Sequence, residues 1–275
     1  SAQQHYQKAL ALRRTIGDRT GEASARLGLG QVHRSLGNYD AARRFLEEAL
    51  ATYQTIGDRR SETYSLFHLG FLHCRIEEYD IALTYLDEAL LTLRQTQEIG
   101  GQLISEASIL WDVLSTLGEL DDLVSLGKAL SYYGWTLLGM GRPRDAKPYF
   151  EEAMRIKRET QQRAAAVEDV AHLGLVALEL NQLELAATYA RHVLDFIQNH
   201  NTQGIEHLAT VYLTCYRILQ ANQKTEQAAQ VLAQGQQYVA SQAEQIDDPV
   251  MRQNYLTGIP ENQALAELAG QPIDP

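Results

Sequence analysis

Several features that would assign a protein to a function class are scarce or missing in this sequence. Its 275 residues include only two cysteines, Cys74 and Cys215. They lie too far apart to form a disulfide framework or a metal-binding knuckle. The longest charge-free apolar stretch covers the thirteen residues 129–141, whereas a membrane-spanning helix needs about 20. We therefore expect reduced thiols, no membrane segment and a cytoplasmic protein.

Basic residues are also scarce. The chain has 24 Lys+Arg against 35 Asp+Glu, which gives a formal net charge of -11 at pH 7. Only five of the basic residues are lysines, and they form no basic run. Because a surface for nucleic acid draws on clustered Lys and Arg, this balance argues against direct nucleic-acid binding.

Motifs for catalysis or cofactor binding are missing as well. The sequence has no Gly-x-x-x-x-Gly-Lys phosphate loop, no His-Glu-x-x-His and no Gly-x-Ser-x-Gly. The Gly-x-Gly at 139–141 lies between two helices and has no strand before it, so it does not indicate a nucleotide site. His68 and His73 are five residues apart, off the spacing that brings two ligands together on one helix face. We therefore expect no enzyme, no cofactor and no metal site.

What the sequence does contain is an internal repeat of forty residues. The segment Thr-Ile-Gly-Asp-Arg at 15–19 recurs at 55–59. The same offset relates a further set of pairs: Glu22 and Glu62, Gly30 and Gly70, His33 and His73, Tyr39 and Tyr79, Ala42 and Ala82, Leu46 and Leu86, Ala49 and Ala89. A fixed period of this length is typical of repeat architectures.

Each period reads as two amphipathic helices, and no stretch alternates with the period of a strand. The pair at 37–38, Gly-Asn, separates the two helices. Gly17 and Gly57 are placed to take a left-handed conformation after each second helix. Asp18 and Asp58 are placed to cap the helix that follows.

These residues resemble the tetratricopeptide repeat. The family pattern has a small residue where the first helix meets the second, a Gly-x-Tyr turn, and then an Ala, a large apolar residue and a further Ala. The first hairpin matches with Gly30, Gly37, Tyr39, Ala42, Leu46 and Ala49, and looser versions follow around Gly70, Gly134, Gly174 and Cys215. The resemblance covers roughly residues 3–245. It implies an all-α, right-handed α-α superhelical solenoid of tetratricopeptide-like hairpins.

Forty residues exceed the family's usual ~34, and such long versions resemble the repeat regions of bacterial signalling ATPases and transcription regulators. We expect the solenoid to cover residues 1–246 and a capping segment with helices to cover 247–275. Residues 3–16 match only a second helix, whose partner we expect upstream. The 24 extra residues between the second and third units predict an additional helix near 102–118, around Trp111.

The resemblance also implies that the first helix of each hairpin lines a concave groove. Positions one after and three before each first-helix glycine should face this groove, with further residues one turn away. The groove residues predicted in this way are Arg34, Tyr64, Phe67, Phe71, Arg75, Lys128, Trp135, Tyr212 and Tyr216. The alternative is that these aromatic side chains pack between the long helices. Leu27 and Gln31 stand where some family members carry the Lys and Asn of a clamp for an acidic terminus, so we expect no such clamp.

Two functional hypotheses follow. The first is a non-catalytic protein–protein interaction or sensor module of a larger bacterial signalling or regulatory protein, which binds a partner protein, a peptide or its own upstream domains. The second is a receptor domain for a small-molecule effector, bound where the additional helix disturbs the groove. The sequence leaves the oligomeric state open.

Overall fold

The computed structural model describes the backbone of residues 2–103 and 109–268 and the side chains of residues 2–93 and 122–268. Within these ranges the chain is all-α, and none of the described residues forms a strand. The helices are α1 (Ala2–Ile16), α2 (Arg19–Ser35), α3 (Tyr39–Ile56), α4 (Arg59–Arg75), α5 (Tyr79–Leu103), α6 (Ile109–Gly139), α7 (Pro143–Glu159), α8 (Arg163–Glu179), α9 (Leu183–Asn199), α10 (Leu208–Ala221), α11 (Thr225–Glu244), α12 (Pro249–Thr257) and α13 (Pro260–Glu267).

Helices that follow one another pack as antiparallel hairpins, which confirms the predicted fold class. The chain divides into two compact units, Ser1–Met140 and Gly141–Pro275, which we call unit 1 and unit 2. In unit 1, α1 packs on α2, α2 pairs with α3, and α4 pairs with α5. In unit 2, α8 pairs with α9 and α10 with α11. None of the described helices is both long enough and apolar enough to cross a membrane.

The predicted caps are present at the start of the first helices. The Asp18 carboxylate accepts a hydrogen bond from the Gly21 backbone N–H at 2.8 Å. The Asp58 carboxylate accepts one from the Ser61 N–H at 3.1 Å. Gly17 and Gly57 before them both have φ of +74°. The chain therefore leaves each second helix through a left-handed glycine and starts the next helix on an aspartate cap.

The turn inside each hairpin keeps the same conformation even where glycine is lost. Gly37 has φ of +72°, and the later hairpins place Glu77, Asn181 and Gln223 at +63°, +57° and +57°. An L-residue in this region costs roughly 1 kcal/mol relative to glycine. The packing of the hairpins therefore maintains the turn against a local preference.

Glycines on the first helices allow the two helices of a hairpin to approach closely. A methyl group at Gly30 would lie 2.6 Å from Leu46 Cγ, and one at Gly70 would lie 2.6 Å from Leu86 Cγ. Leu46 and Leu86 are both fully buried. The forty-residue offset thus repeats a real packing contact, in which a leucine of the second helix fills the space above the glycine.

The extra residues between the second and third repeats lengthen two helices. Helix α5 has 25 residues and α6 has 31, whereas α4 has 17. Residues 109–118 form the start of α6 rather than a helix of their own. The apolar side chains predicted for an additional helix lie outside the described residues: Leu103, Ala107, Leu110, Trp111, Leu114 and Leu117.

At the other end of the chain, α13 packs on α10 and α11. Leu265 of α13 is fully buried in a cluster with Leu213 and Leu232. Helix α12 begins at Pro249, and the Asp248 carboxylate accepts hydrogen bonds from the next two N–H groups. A proline after a capping aspartate is a strong helix start.

Candidate functional site

The candidate binding surface of unit 1 is formed by the first helices α2, α4 and α6, and we call it the first-helix face. Helix α4 lies between the other two and contacts both. Twelve of its seventeen residues are buried. Because α4 packs against helices on several sides, an aromatic residue on it has few exposed positions available.

An aromatic stack fills the space between α4 and α6. The Phe71 and Tyr132 rings are stacked at 3.9 Å between centroids and 11° between planes. The Arg34 guanidinium lies 4.5 Å from the centre of the Phe71 ring. The Phe67 ring lies 6.2 Å from that of Tyr132 and 4.4 Å from His68. Aromatic neighbours and a cation over the ring both stabilise such a stack beyond the area that it buries.

This stack corrects the expected orientation of Phe67 and Phe71. Both side chains have no exposed surface, and Arg34 has 6%. They pack between the helices rather than facing a groove, because Tyr132 of α6 covers them. Tyr132 was not among the predicted groove residues, because it precedes Gly134 by two positions and the prediction used only the positions one after and three before that glycine.

The accessible part of the first-helix face lies around this stack. Trp135 and Tyr64 are partly exposed, as are Arg75 and Lys128. The Arg75 guanidinium lies 5.2 Å from the centre of the Trp135 ring. The Trp135 ring is tilted by 59° on Phe71 at 5.2 Å, and the Tyr64 ring lies 5.2 Å from Phe67. Both accessible rings therefore pack against the buried stack.

Of the two groove residues predicted in unit 2, only one has substantial exposure. Tyr212 is 8% exposed, and burial raises the pKa of its hydroxyl. Its Cβ would lie 2.9 Å from a methyl group at Gly235, so it packs closely against α11. Tyr216 is partly exposed, and its hydroxyl oxygen accepts a hydrogen bond from Gln220 Nε2 at 3.3 Å.

His33 and His73, on the first helices of unit 1, are packing residues. The His33 ring is stacked on Phe45 at 5.4 Å, and the His73 ring is stacked on Tyr85 at 5.4 Å. Both pairs join residues twelve positions apart. Burial lowers the pKa of His33. The described residues contain no group of three or more potential metal ligands.

Unit 2 contains a buried ion pair that the sequence analysis missed. Lys157 Nζ lies 2.8 Å from Asp169 Oδ2, and their side chains are 4% and 0% exposed. Glu168 beside it accepts a hydrogen bond from the His207 backbone N–H at 2.8 Å. The signal was available, because residues 168–169 place two carboxylates within an otherwise largely apolar stretch of α8.

Burial perturbs two titratable groups beside this ion pair. It raises the pKa of Glu168 to about 7, although Lys157 acts in the opposite direction. It lowers the pKa of His172 to about 3. The His172 ring is stacked on Phe150 with 4° between planes. These groups join α7, α8 and the segment before α10, so their position indicates a structural role within unit 2.

Comparison with known proteins agrees with this geometry. Two models of the tetratricopeptide repeat match the chain, one over residues 1–55 and the other over residues 128–160. No curated protein sequence matches it.

Among solved structures, the chain is similar to a Rap protein complexed with competence and sporulation factor, with a TM-score of 0.60 and 15% identity over 97% of this chain and 70% of that one. It is also similar to BtubC (BKLC) from P. vanneervenii, with a TM-score of 0.54 and 14% identity over 100% and 93%. The apo form of RapI gives a TM-score of 0.51 and 14% identity over 96% and 68%. These similarities establish the shared fold.

Proposed function

We propose that this tetratricopeptide-repeat chain is a non-catalytic interaction module of a larger bacterial signalling or regulatory protein, and that it holds a partner protein or peptide on its first-helix face. The observation that carries the proposal is the pair of partly exposed rings, Trp135 and Tyr64, on a buried aromatic stack. Large aromatic side chains and arginine are the residues most enriched at interface hot spots.

The stack also supports the proposal through rigidity. Trp135 contacts Phe71 below it and Arg75 beside it. A side chain that is already held in position loses little conformational freedom when a partner binds. Trp135 therefore offers a preorganised contact, which favours recognition of a short segment.

The charges on this face suggest the chemistry of the segment. Arg75 and Lys128 are partly exposed on this face, and Arg75 lies beside the Trp135 ring, in a chain with a net charge of -11. An apolar or aromatic segment that carries a carboxylate would complement both features. The Rap protein of the same fold was solved with a bound factor, which supports ligand binding by repeats of this kind.

The proposal includes a scaffold role without catalysis and a cytoplasmic location. A tetratricopeptide fold serves as a scaffold, and the perturbed groups Glu168 and His172 are buried within unit 2. Cys74 and Cys215 are buried thiols that are not joined in a disulfide, and burial raises the pKa of Cys215 to about 12. Such thiols are typical of a reducing compartment.

A comparative pull-down tests the proposal. The chain and its Trp135→Ala variant would be immobilised at equal density, and retained proteins would be identified from a lysate of the source cells. Leu91→Ala is the matched control, because Leu91 is 60% exposed on a second helix. A partner of the first-helix face should be retained by the wild type and by Leu91→Ala, and lost from Trp135→Ala. Equal retention by all three would refute the proposed surface.

A further inference from the structure

A pocket of about 480 Å³ lies in unit 2 between α7, α8 and α9. Its apolar wall includes Val167, Val170 and Phe196. Three basic side chains also line it, namely Arg158, Arg163 and His192. A volume of this size falls within the range of small-molecule pockets, about 300–1,000 Å³.

The two arginines reach the pocket because of the turn between α7 and α8. Arg158 is the penultimate residue of α7, and Arg163 is the first residue of α8. Both are exposed. Two guanidinium groups thus border one apolar wall, which His192 of α9 also lines.

The acidic residues of the chain do not balance these charges. Among the described residues that line the pocket, none is an aspartate or a glutamate. Glu159, the neighbour of Arg158, accepts two hydrogen bonds from Arg155, at 2.8 and 2.9 Å. A pocket whose titratable lining residues are all basic is unexpected in a chain with a net charge of -11, and it favours an anionic occupant.

We infer that this pocket binds a small organic anion with an apolar body, of the class of an amphipathic carboxylate or sulfonate. The apolar part lies on Val167, Val170 and Phe196, and the acidic group lies between Arg158 and Arg163. Arginine suits this role because its planar guanidinium donates paired hydrogen bonds to such a group. The inference is independent of the partner surface on the first-helix face, which belongs to unit 1.

The test uses two fluorescent probes that share one apolar body and differ in charge. The anionic probe is 8-anilinonaphthalene-1-sulfonate, and the neutral probe is N-phenyl-1-naphthylamine. Each is titrated into the full chain, into Arg158→Gln/Arg163→Gln, and into Arg144→Gln/Arg217→Gln. The last variant is the control, because Arg144 and Arg217 are exposed residues of unit 2 that do not line the pocket. It changes the net charge by the same amount.

We expect the pocket variant to bind the anionic probe at least about tenfold more weakly than wild type, because each arginine lost removes a charged hydrogen-bond donor. The neutral probe should bind it as it binds wild type, and the control should bind both probes normally. A Phe196→Ala variant should weaken both probes. The inference is overturned if the pocket variant keeps its affinity for the anionic probe. It is also overturned if the control loses as much as the pocket variant, since binding would then follow net charge alone.

Discussion

Removal of the Phe71 side chain should destabilise unit 1 far more than removal of a neighbouring aromatic side chain at the surface. Phe71 has no exposed surface, and its ring is stacked on Tyr132 with Arg34 against it. Truncation of a buried phenylalanine to alanine costs about 3–5 kcal/mol through lost burial and the cavity left behind. We expect Phe71→Ala to fall within this range.

Two further variants separate the parts of this energy. Phe71→Leu keeps most of the volume but loses the ring, so it removes the aromatic pair and the cation contact, each of about 0.5–1.5 kcal/mol. Trp135→Ala removes a partly exposed ring and should cost less than Phe71→Ala. The order of stability should therefore be wild type, Phe71→Leu, then Phe71→Ala.

Urea unfolding followed by circular dichroism measures this order. The midpoint should fall while the slope of the transition stays constant, which shows a change of stability rather than of the unfolded state. If Phe71→Ala costs less than about 1 kcal/mol, the ring is not packed between α4 and α6. The burial argument for the whole stack would then be wrong.

Three further predictions concern the packing and the buried charges. Gly70→Ala should cost about 1–3 kcal/mol of unfolding free energy, because the new methyl group meets Leu86 at 2.6 Å. The double variant Gly70→Ala/Leu86→Ala should cost less than the sum of the losses in the two single variants. Lys157→Met should cost about 3–5 kcal/mol of stability, because it leaves the Asp169 carboxylate buried without its cation. The double variant Lys157→Met/Asp169→Asn should recover most of this loss. Full stability of Lys157→Met would exclude a buried ion pair. Glu168 has a raised pKa in the folded state, about 7 against 4.5, so its contribution is greatest below pH 4.5 and is lost as the pH rises through 7. The stability of Glu168→Gln relative to wild type should therefore rise by about 2–4 kcal/mol as the pH increases from 5 to 8. A stability difference that does not change with pH would contradict the assigned burial.

The sequence predicted the hairpins well because the forty-residue offset reports direct contacts. Gly30 and Leu46 touch each other, and the same is true of Gly70 and Leu86. The cap at Asp58 involves only neighbours in the chain. Features of this kind depend on residues within one period, so a single sequence contains the evidence for them.

The orientation of the first-helix residues was harder to predict, because it depends on contacts between hairpins. Phe71 lies at a position expected to face a groove, yet it is covered by Tyr132, sixty-one residues further along the chain. The insertion that lengthens α6 to 31 residues breaks the period, so the offset does not predict the packing of α6. The sequence also did not show which residues line the pocket beside Arg158 and Arg163, because these residues come from three different helices.

The central claim is that Trp135 and its neighbours on the first-helix face bind a peptide segment. A random peptide library displayed on phage would be selected on the wild-type chain, and the enriched peptides would be measured by calorimetry on wild type, Trp135→Ala and Leu91→Ala. We predict a loss of about 2 kcal/mol, or roughly thirtyfold in affinity, for Trp135→Ala and no change for Leu91→Ala. Equal affinity for all three chains, with Trp135→Ala folded by circular dichroism, would contradict the claim.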